Sequence, residues 1–565
     1  LVGSEMCIRD SLRFNWLTDP RVTKTVIQYK VKGASKWESK SGTSYVESVT
    51  AGYKEKAAHR VEITGLTPSA EYVYRVGDGG EFMSEEKSFT APKSADDKNF
   101  KVIFYSDPQS ESVENYMSFK YSIDQALKVC PNPDLMISAG DTTQNGYKST
   151  EWEACFEVMH DYYAKYPTVT VAGNHEMKGD WNFISFAQRF NMSGAKTGYP
   201  EFDRTMGYFE YGDAIFVILN GEVTPADKKP EIMKKELQWC KSVLDASDKK
   251  WRIVMTHAGP YTSNHDPLDV RDYYINDSEY SLDAMGVDLF LNGHDHIYIR
   301  STVKNDIKVN TGDGTTYITG GTVGNKFYEY IPARSDYSTD FYVDEEDKQV
   351  FSVIEFSEDS IKGTAYQKQD PDDWNSFKAV DSYEILNNRQ TGKQVSDYTD
   401  VSKNAWYYDA AKYVTDKQLM SGEKPYVFGA DEALTRAEVA SALYNLAGQP
   451  KVELASFTDV PVTHQARTAI AWAAKTGIMK GVGDNKFEPD RSVSREEIAT
   501  LLTRQRKLSG EDVSADKAAI NEFADSAKIS SWAVDGVAYC TKSGLVKGNP
   551  GKVFAPAGNT TRAEL

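Results

Sequence analysis

The chain has 565 residues, which is too long for one compact domain and predicts about three to five domains. Its content of 40% hydrophobic and 26% charged residues excludes a wholly disordered or fibrous protein. The net charge of −18 argues against nucleic acid as the main partner, and no apolar run approaches the roughly 18 residues that a membrane span requires.

The first region predicts a β domain. Residues 1–11 resemble a translated sequencing-adapter scar, so we exclude them from the fold prediction. Within residues 12–95, Val26–Val31 and Tyr72–Val76 are β-rich runs bounded by turn residues. The run Val61–Pro68 with the strand that follows it resembles the end of a fibronectin-like β-sandwich, and more closely the N-terminal domain of purple acid phosphatases. The region has no obvious acid/base pair, so we interpret it as a scaffold.

From residue 98 to 385, β-rich strands end abruptly in polar, metal-binding residue types. Four such strands are each followed closely by a candidate ligand: Val102–Tyr105 by Asp107, Leu135–Ile137 by Asp141, Thr168–Val171 by Asn174, and Ile253–Met255 by His257. Helical stretches such as Ile232–Leu244 lie between the strands. The alternation predicts an α/β layered fold, in which ligands bind at the carboxyl ends of strands.

Five short motifs carry the chemistry of this region. In chain order they are Asp107-Pro108-Gln109, Gly140-Asp141, Gly173-Asn174-His175-Glu176, His257 and Gly293-His294-Asp295-His296. A dinuclear metal site uses carboxylates and an amide oxygen, with imidazoles for zinc and transition metals. Two ions about 3.5–4 Å apart stabilise a transferring phosphoryl group and supply a hydroxide nucleophile near neutral pH. The motifs therefore predict a dinuclear site in which Asp141 is able to bridge the ions.

The order of these motifs resembles the calcineurin-like metallophosphoesterase superfamily, and with the N-terminal domain the resemblance is to its purple acid phosphatase branch. It implies a four-layer α/β sandwich and two metal ions (Fe, Zn or Mn) whose bridging hydroxide attacks the phosphate ester. The implied ligands are Asp107, Asp141 and His296 for one ion, and Asp141, Asn174, His257 and His294 for the other. The resemblance also implies that His175 lies beside the scissile phosphate and donates to a phosphoryl oxygen or the leaving group.

Three positions depart from the family pattern. Tyr261–His265 resembles the substrate-contacting loop, but Asp266 replaces its second histidine, so only His265 is a candidate contact. Gln144 occupies the position of the tyrosine that colours purple acid phosphatases, and Gln109 that of a histidine common in the superfamily. Either amide oxygen is a candidate ligand, although weaker than phenolate or imidazole, so the identity of the metals stays open.

After a polar linker (386–397) the sequence repeats. Asp400, Asp459 and Asp525 precede Arg436, Arg495 and Arg562 by 36, 36 and 37 residues, with Gly422…Phe428, Gly481…Phe487 and Gly548…Phe554 between them. This threefold recurrence predicts three copies of one unit, over 398–447, 457–510 and 523–565. In each copy the arginine lies between a Ser or Thr and a Glu three positions later, as in a helix capping box.

An arginine in the first turn of a helix is unfavourable for the helix dipole, but with free backbone N–H groups it forms an anion site. The motifs resemble S-layer homology (SLH) repeats, which implies an all-α bundle that binds a pyruvylated secondary cell-wall polysaccharide. The sugar carboxylate suits Arg436, Arg495 and Arg562. Because the third copy stops at Leu565, we expect it to be truncated and to lack its last helix.

The combined prediction is a secreted, metal-dependent phosphatase that hydrolyses phosphomonoesters and is held on the bacterial cell wall, associated with the S-layer. One alternative is a phosphodiesterase or nucleotidase on the same site, since fold does not choose the substrate. The other is a non-catalytic surface protein with a decayed site. Gln109 and Gln144 favour decay, whereas the intact Asp141, Asn174 and His175 and the three histidines of the later motifs oppose it.

Overall fold

The structure is a computed structural model in which compact packing divides the chain into two units, Leu1–Asn387 and Asn388–Leu565. It describes residues 2–7, 11–48, 55–94, 96–192, 195, 197–222, 229–265, 268–275, 280–304, 307–308, 314–331, 339–343, 348–386, 395, 398–417, 419–420, 427–448, 450, 452, 457–460, 464 and 466–565. Gly422, Asp266 and most of the predicted linker lie outside these residues.

Two antiparallel four-stranded sheets form the N-terminal domain, with strand orders β1-β2-β6-β5 and β4-β3-β7-β8. The strands are β1 (Val2–Cys7), β2 (Ser11–Thr18), β3 (Val26–Val31), β4 (Glu38–Ser41), β5 (Thr43–Val46), β6 (Ala57–Ile63), β7 (Glu71–Gly77) and β8 (Lys87–Thr90). Phe14 of one sheet packs 4.9 Å from Tyr74 and 5.3 Å from Phe89 of the other, measured between ring centroids. The predicted β domain is confirmed.

Strand β1 lies within residues 1–11, which the sequence analysis left out of the fold prediction. Val2–Cys7 pairs antiparallel with Ser11–Trp16 and forms the edge of its sheet. An open sheet edge presents unpaired N–H and C=O groups, so an adjacent extended segment can pair with it whatever its composition.

Two further sheets form the central domain. One has the order β11-β10-β9-β20-β21-β22, and the other the order β12-β13-β14-β15-β18-β16-β17, with β19 beside β16. The strands are β9 (Phe100–Tyr105), β10 (Leu135–Ser138), β11 (Thr168–Thr170), β12 (Gly207–Tyr211), β13 (Ala214–Ile218), β14 (Trp251–Met255), β15 (Leu289–Asn292), β16 (Tyr298–Lys304), β17 (Ile307–Lys308), β18 (Thr315–Gly320), β19 (Thr339–Tyr342), β20 (Val350–Phe356), β21 (Ser360–Lys368) and β22 (Phe377–Leu386).

Alternate residues of these strands face two cores. Val102 and Phe104 of β9 belong to one buried cluster together with Phe216 and Ile253 of the other sheet, whereas Ile103 packs in a second cluster with residues of the helices. The helices are α1 (Val113–Val129), α2 (Ser149–Lys165), α3 (Asn174–Met177), α4 (Ile184–Arg189), α5 (Pro200–Asp203), α6 (Lys229–Ala246) and α7 (Leu268–Ile275). Two sheets packed together and covered by helices give the predicted α/β layers.

The second unit is helical in the part of it that the structure describes. Its helices are α8 (Tyr408–Asp416), α9 (Arg436–Leu446), α10 (Arg467–Lys475), α11 (Arg495–Leu508) and α12 (Val534–Lys542), with 3₁₀ turns at Lys517–Glu522 and Ser526–Lys528. Thr435 and Ser494 cap α9 and α11 with the reciprocal bonds of a capping box, as the spacing to Glu438 and Glu497 predicts.

Candidate metal centre

The candidate ligands lie at one edge of the two central sheets. Strands β9, β10 and β11 run parallel, as do β14 and β15, so the carboxyl ends of each set point the same way. Asp107, Asp141 and Asn174 follow the first set, and the three histidines His257, His294 and His296 follow the second. All of these residues except Asn174 and His294 are less than 9% exposed, and the structure brings the six side chains together.

Four donor atoms converge around Asn174. Its Oδ1 lies 3.1 Å from both His257 Nε2 and His294 Nδ1, which are 3.2 Å apart. Asp141 Oδ2 lies 3.2 Å from His257 Nε2. Atoms that each lie about 2.0–2.2 Å from one ion are themselves roughly 3.0–3.5 Å apart. The four atoms therefore fit the ligand shell of a single transition-metal or zinc ion.

A second group shares Asp141. Asp107, Asp141 and His296 each offer an atom within 4.8 Å of the others, and His296 Nε2 is 3.3 Å from Asp107 Oδ1. Gln109 Nε2 lies 3.0 Å from His296 Nε2, while its buried Oε1 has no hydrogen-bond partner. A half-turn of the amide exchanges the two atoms and directs the unpaired oxygen at this group. The donor set of Asp107, Asp141 and His296 thus fits a second ion, and the role of Gln109 as a further ligand stays a prediction.

The backbone at these ligands is strained. Asp107, Asp141, His294 and His296 have φ values of 54°, 52°, 74° and 54°, a region that L-residues rarely adopt. Such conformations persist only where the surrounding structure enforces them, and they cluster at functional sites. Four of the six ligand candidates share this strain, which favours a functional origin over a purely structural one.

Glycine permits the close approach of the ligand loops. A Cβ on Gly173 would lie 2.2 Å from Asp141 Oδ1, and one on Gly293 would lie 2.7 Å from Asp107 Oδ2. Neither separation is physically possible without displacement of the carboxylate. The glycines in the predicted motifs therefore make room for the ligands.

Hydrogen bonds to carbonyl oxygens select the ring nitrogen that faces the centre. His257 Nδ1 donates to Ala139 O at 2.8 Å, and His296 Nδ1 donates to Lys326 O, so Nε2 of each ring faces the other ligands. Burial and the neighbouring His257 lower the pKa of His294 to about 2, which keeps this ring in the neutral form that binds metals. Burial opposes the charges of Asp141 and His257, yet their mutual attraction lowers the pKa of Asp141 and raises that of His257.

Glu176 is a functional residue to which sequence reasoning assigned no role. Its carboxylate accepts the backbone N–H groups of Asp141, Thr142, Thr143 and Gly173 at 2.7–3.1 Å. Burial raises the pKa of Glu176 to about 8, while the N–H donors act in the opposite direction. The carboxylate joins the loop that carries Asp141 to the turn that carries Asn174. In the sequence, this role is indicated only by the position of Glu176 in the motif Gly173-Asn174-His175-Glu176.

Asp295 holds the loop after β14 in a similar way, by accepting backbone N–H groups. It accepts the N–H groups of Asn264 and His265 and lies 3.0 Å from His265 Nδ1. The His265 ring is held 3.9 Å from the His294 ring, between centroids, and 5.1 Å from Tyr328. His265 thus lies beside the ligands, where its predicted substrate contact stays a prediction.

His175 faces the centre without joining either ligand group. Its N–H donates to Asp141 Oδ1 at 2.9 Å, and its Nδ1 donates to the Gln144 carbonyl at 2.8 Å. Its Nε2 lies 3.8 Å from Asp141 Oδ2, and burial lowers the pKa of His175. The Gln144 side chain makes no hydrogen bond among the described residues, so its role as a ligand stays a prediction.

The recurring arginines of the second unit form a closed ring of contacts. The Nε atoms of Arg436, Arg495 and Arg562 each donate at 2.8 Å to the carbonyl of a phenylalanine in the next copy: Phe487, Phe554 and, from the third copy back to the first, Phe428. Asp400, Asp459 and Asp525 anchor those three loops, each accepting two backbone N–H groups at 2.7–2.8 Å. The repeated residues thus join the copies to one another.

Comparison with known families decides the nature of the central domain. Residues 100–298 match the family of calcineurin-like phosphoesterases. The central domain is a calcineurin-like phosphoesterase domain. Residues 6–91 match the purple acid phosphatase N-terminal domain, and residues 397–440, 456–499 and 522–565 match the S-layer homology domain. The predicted resemblances and the predicted classes of fold are confirmed.

Individual relatives match parts of the chain. Purple acid phosphatase 15 of Arabidopsis thaliana is 26% identical over 369 residues, which cover 56% of this chain and 66% of the relative. An amylopullulanase of Thermoanaerobacterium thermosulfurigenes is 30% identical over 30% of this chain and 9% of its own length. The chain thus spans less than two thirds of both relatives.

A solved structure shares the fold over about two thirds of the chain. A purple acid phosphatase from yellow lupin (Lupinus luteus) seeds superposes with a TM-score of 0.54 at 14% identity, covering 68% of this chain and 74% of that one.

Among the described helices, none has both the length and the apolar character needed to cross a membrane.

Proposed function

We propose that this protein is a metal-dependent phosphatase that hydrolyses phosphomonoesters and is held at a bacterial cell surface by its SLH repeats. The observation that carries the enzymatic part is the pair of ligand groups that share Asp141 beside His175. Gln109 lies against the same residues, with its Nε2 3.0 Å from His296 Nε2 and 3.4 Å from Asp141 Oδ2, and a half-turn of its amide would offer Oε1 as a further ligand. A decayed site would not be expected to retain both ligand groups.

Each side chain has a distinct part in the proposed reaction. Asp107, Asp141, Asn174, His257, His294 and His296, with Gln109, would hold two ions, which polarise the phosphoryl oxygens and supply hydroxide when bound. His175 Nδ1 is occupied by the Gln144 carbonyl, so Nε2 is the atom that exchanges a proton with the substrate. To act as the acid, His175 must be in its imidazolium form, which carries a proton on Nε2 as well as on Nδ1. Transfer of that Nε2 proton to the leaving-group oxygen would let the alcohol depart without forming a high-energy alkoxide.

The test combines metal analysis with two matched substrates. We expect about two ions per chain in the purified protein and faster hydrolysis of p-nitrophenyl phosphate than of bis(p-nitrophenyl) phosphate. Protein that binds no transition metal or zinc would contradict the proposal and favour the non-catalytic surface protein. Preference for the diester would favour the phosphodiesterase alternative.

The anchoring part of the proposal assigns the polysaccharide carboxylate first to Arg436. Arg495 and Arg562 pair through Nη1 with Glu564 and Glu438 at 2.6 and 2.7 Å. The equivalent Glu497 instead pairs with Arg491 and lies 4.0 Å from Arg436. Arg436 therefore lacks the close carboxylate that its two counterparts have, and a ligand carboxylate can take that place.

Sedimentation with cell-wall preparations tests the anchor. We expect the full chain to bind walls that bear pyruvylated polysaccharide and to lose most binding when the pyruvyl groups are removed. Arg436→Gln should weaken binding, whereas the exposed control Lys507→Gln should not. Equal binding by the Arg436 variant, with the repeats still folded, would contradict the assignment.

A further inference from the structure

Two ammonium groups converge on His175. Lys178 Nζ lies 2.9 Å from both ring nitrogens of His175, and Lys326 Nζ lies 3.4 Å from its Nε2. Lys178 directly follows α3, whereas Lys326 comes from the loop after β18, so two separate elements bring these charges together. The Lys326 carbonyl also accepts the Nδ1 proton of His296, which fixes this loop against a candidate metal ligand.

No carboxylate pairs with these lysines among the described residues. The nearby acids already have other partners. Asp141 faces His257 and the N–H of His175, Glu176 accepts four backbone N–H groups, and Glu151 pairs with Lys148. Burial lowers the pKa of Lys178, and Lys326 adds to this effect, as expected for two close like charges. An anion bound between the two ammonium groups would relieve this repulsion.

The position of the pair relative to His175 indicates which part of the substrate it meets. His175 Nε2 faces Asp141, where the ions and the scissile phosphoryl group belong, and the lysines flank the same nitrogen. If Nε2 protonates the leaving group, the next group along the substrate lies against the lysines. Both lysines are only half-buried, so a solvated ligand can reach them.

We propose that Lys178 and Lys326 are specificity-determining residues that bind a second phosphate group on the leaving-group side of His175. The inference rests on the proposed phosphatase function and names the substrate class, phosphomonoesters that carry a further phosphate. A bisphosphorylated compound would place one phosphoryl group at the metal centre and the other between the two ammonium groups.

The experiment compares fructose 1,6-bisphosphate with fructose 6-phosphate, which differ by one phosphate group. We expect kcat/KM for the bisphosphate to be about tenfold or more higher, because a hydrogen bond to a charged group contributes roughly that factor. In the double variant Lys178→Met/Lys326→Met the preference should fall to near unity, mainly through the bisphosphate. Lys178→Arg/Lys326→Arg should keep it, and the exposed control Lys234→Met should behave as the unmodified protein.

Three results would overturn the proposal. The first is equal kcat/KM for both sugars in the unmodified protein. The others are a loss of kcat/KM in the Met variant that is equal for both sugars, or no loss of kcat/KM in that variant. An equal loss would mean that the lysines only position His175. Calorimetric binding of the same two sugars to the metal-loaded protein separates this proposal from the phosphatase function. If neither sugar nor p-nitrophenyl phosphate is hydrolysed, the phosphatase proposal fails, and tighter binding of the bisphosphate that the Met variant loses still supports the lysine pair.

Discussion

The candidate metal centre and the ring of arginine contacts in the second unit are both built from short, ordered motifs of polar and charged residues. The two regions differ in whether these side chains already have hydrogen-bond partners. At the metal centre, His257, His294 and Asn174 direct their donor atoms at one another across distances of 3.1–3.2 Å, and Gln109 Oε1 has no partner. In the ring, the Arg495 guanidinium donates hydrogen bonds to two backbone carbonyls and a glutamate of the next copy.

This difference distinguishes two roles that a motif of polar and charged residues can have, ligand binding and structural support. Electron-pair donors that crowd together, on a strained backbone, are incomplete without a cation. Donors that already meet acceptors are complete and hold the fold together. On this criterion we expect the central motifs to bind cations, whereas the arginine motif mainly joins the copies to one another. Arg436 differs from its two counterparts because its nearest glutamate, Glu497, is 4.0 Å away.

Removal of a metal ligand should have the largest effect. His294→Ala deletes a nitrogen from the group around Asn174, so we expect loss of an ion and a fall in p-nitrophenyl phosphate hydrolysis of at least about 10³-fold. Metal analysis and steady-state kinetics measure the two quantities together. Full activity in this variant would show that the ligand groups are not the active centre.

Substitution of His175 should separate chemistry from metal binding. His175→Ala removes Nε2 but no atom of either ligand group, so both ions should remain while kcat falls about 10²–10⁴-fold. The same metal analysis is the control. Loss of an ion together with activity would make His175 a ligand and its proposed role wrong.

Opening the arginine ring should reduce stability without reducing catalysis. Arg495→Ala leaves the carbonyls of Phe554 and Lys547 without this donor, and we expect a loss of about 2–4 kcal/mol in the second unit. Hydrogen exchange of peptides from α11 and the third copy measures this change in stability.

The control is Arg506→Ala, which breaks an exposed ion pair with Glu511 and should lower stability by about 1 kcal/mol or less. Equal protection in both variants would remove the structural role of the ring.

Support of the ligands by Glu176 should have a smaller effect. In Glu176→Gln one oxygen becomes an NH₂ group that cannot accept the backbone N–H groups, so the loop of Asp141 should loosen and metal affinity fall about 10–100-fold. Competition with a chelator measures the affinity. The exposed Glu157→Gln is the matched control on α2, and equal affinities in the two variants would contradict the support role.

The sequence by itself determined the domain classes and the ligand candidates, because these depend on local signals. Strand-forming runs that end in Asp, Asn or His are visible in one dimension, and so are three copies of a capped helix start. Parallel strands then bring their carboxyl ends together whatever the details of packing. This is why Asp107, Asp141 and His257 were identified from residue type and order alone.

Only the tertiary structure decided which partner each charged side chain meets. Lys326 and His175 are 151 positions apart, and Arg562 reaches Phe428 across 134, so no local pattern relates them. The same holds for Glu176 and Asp295, whose acceptor roles depend on the fold of distant loops, and for β1, which pairs because a sheet edge is open. Hydrogen-bond satisfaction is a property of packed neighbours, and it determines whether a charged residue binds a ligand or its own chain.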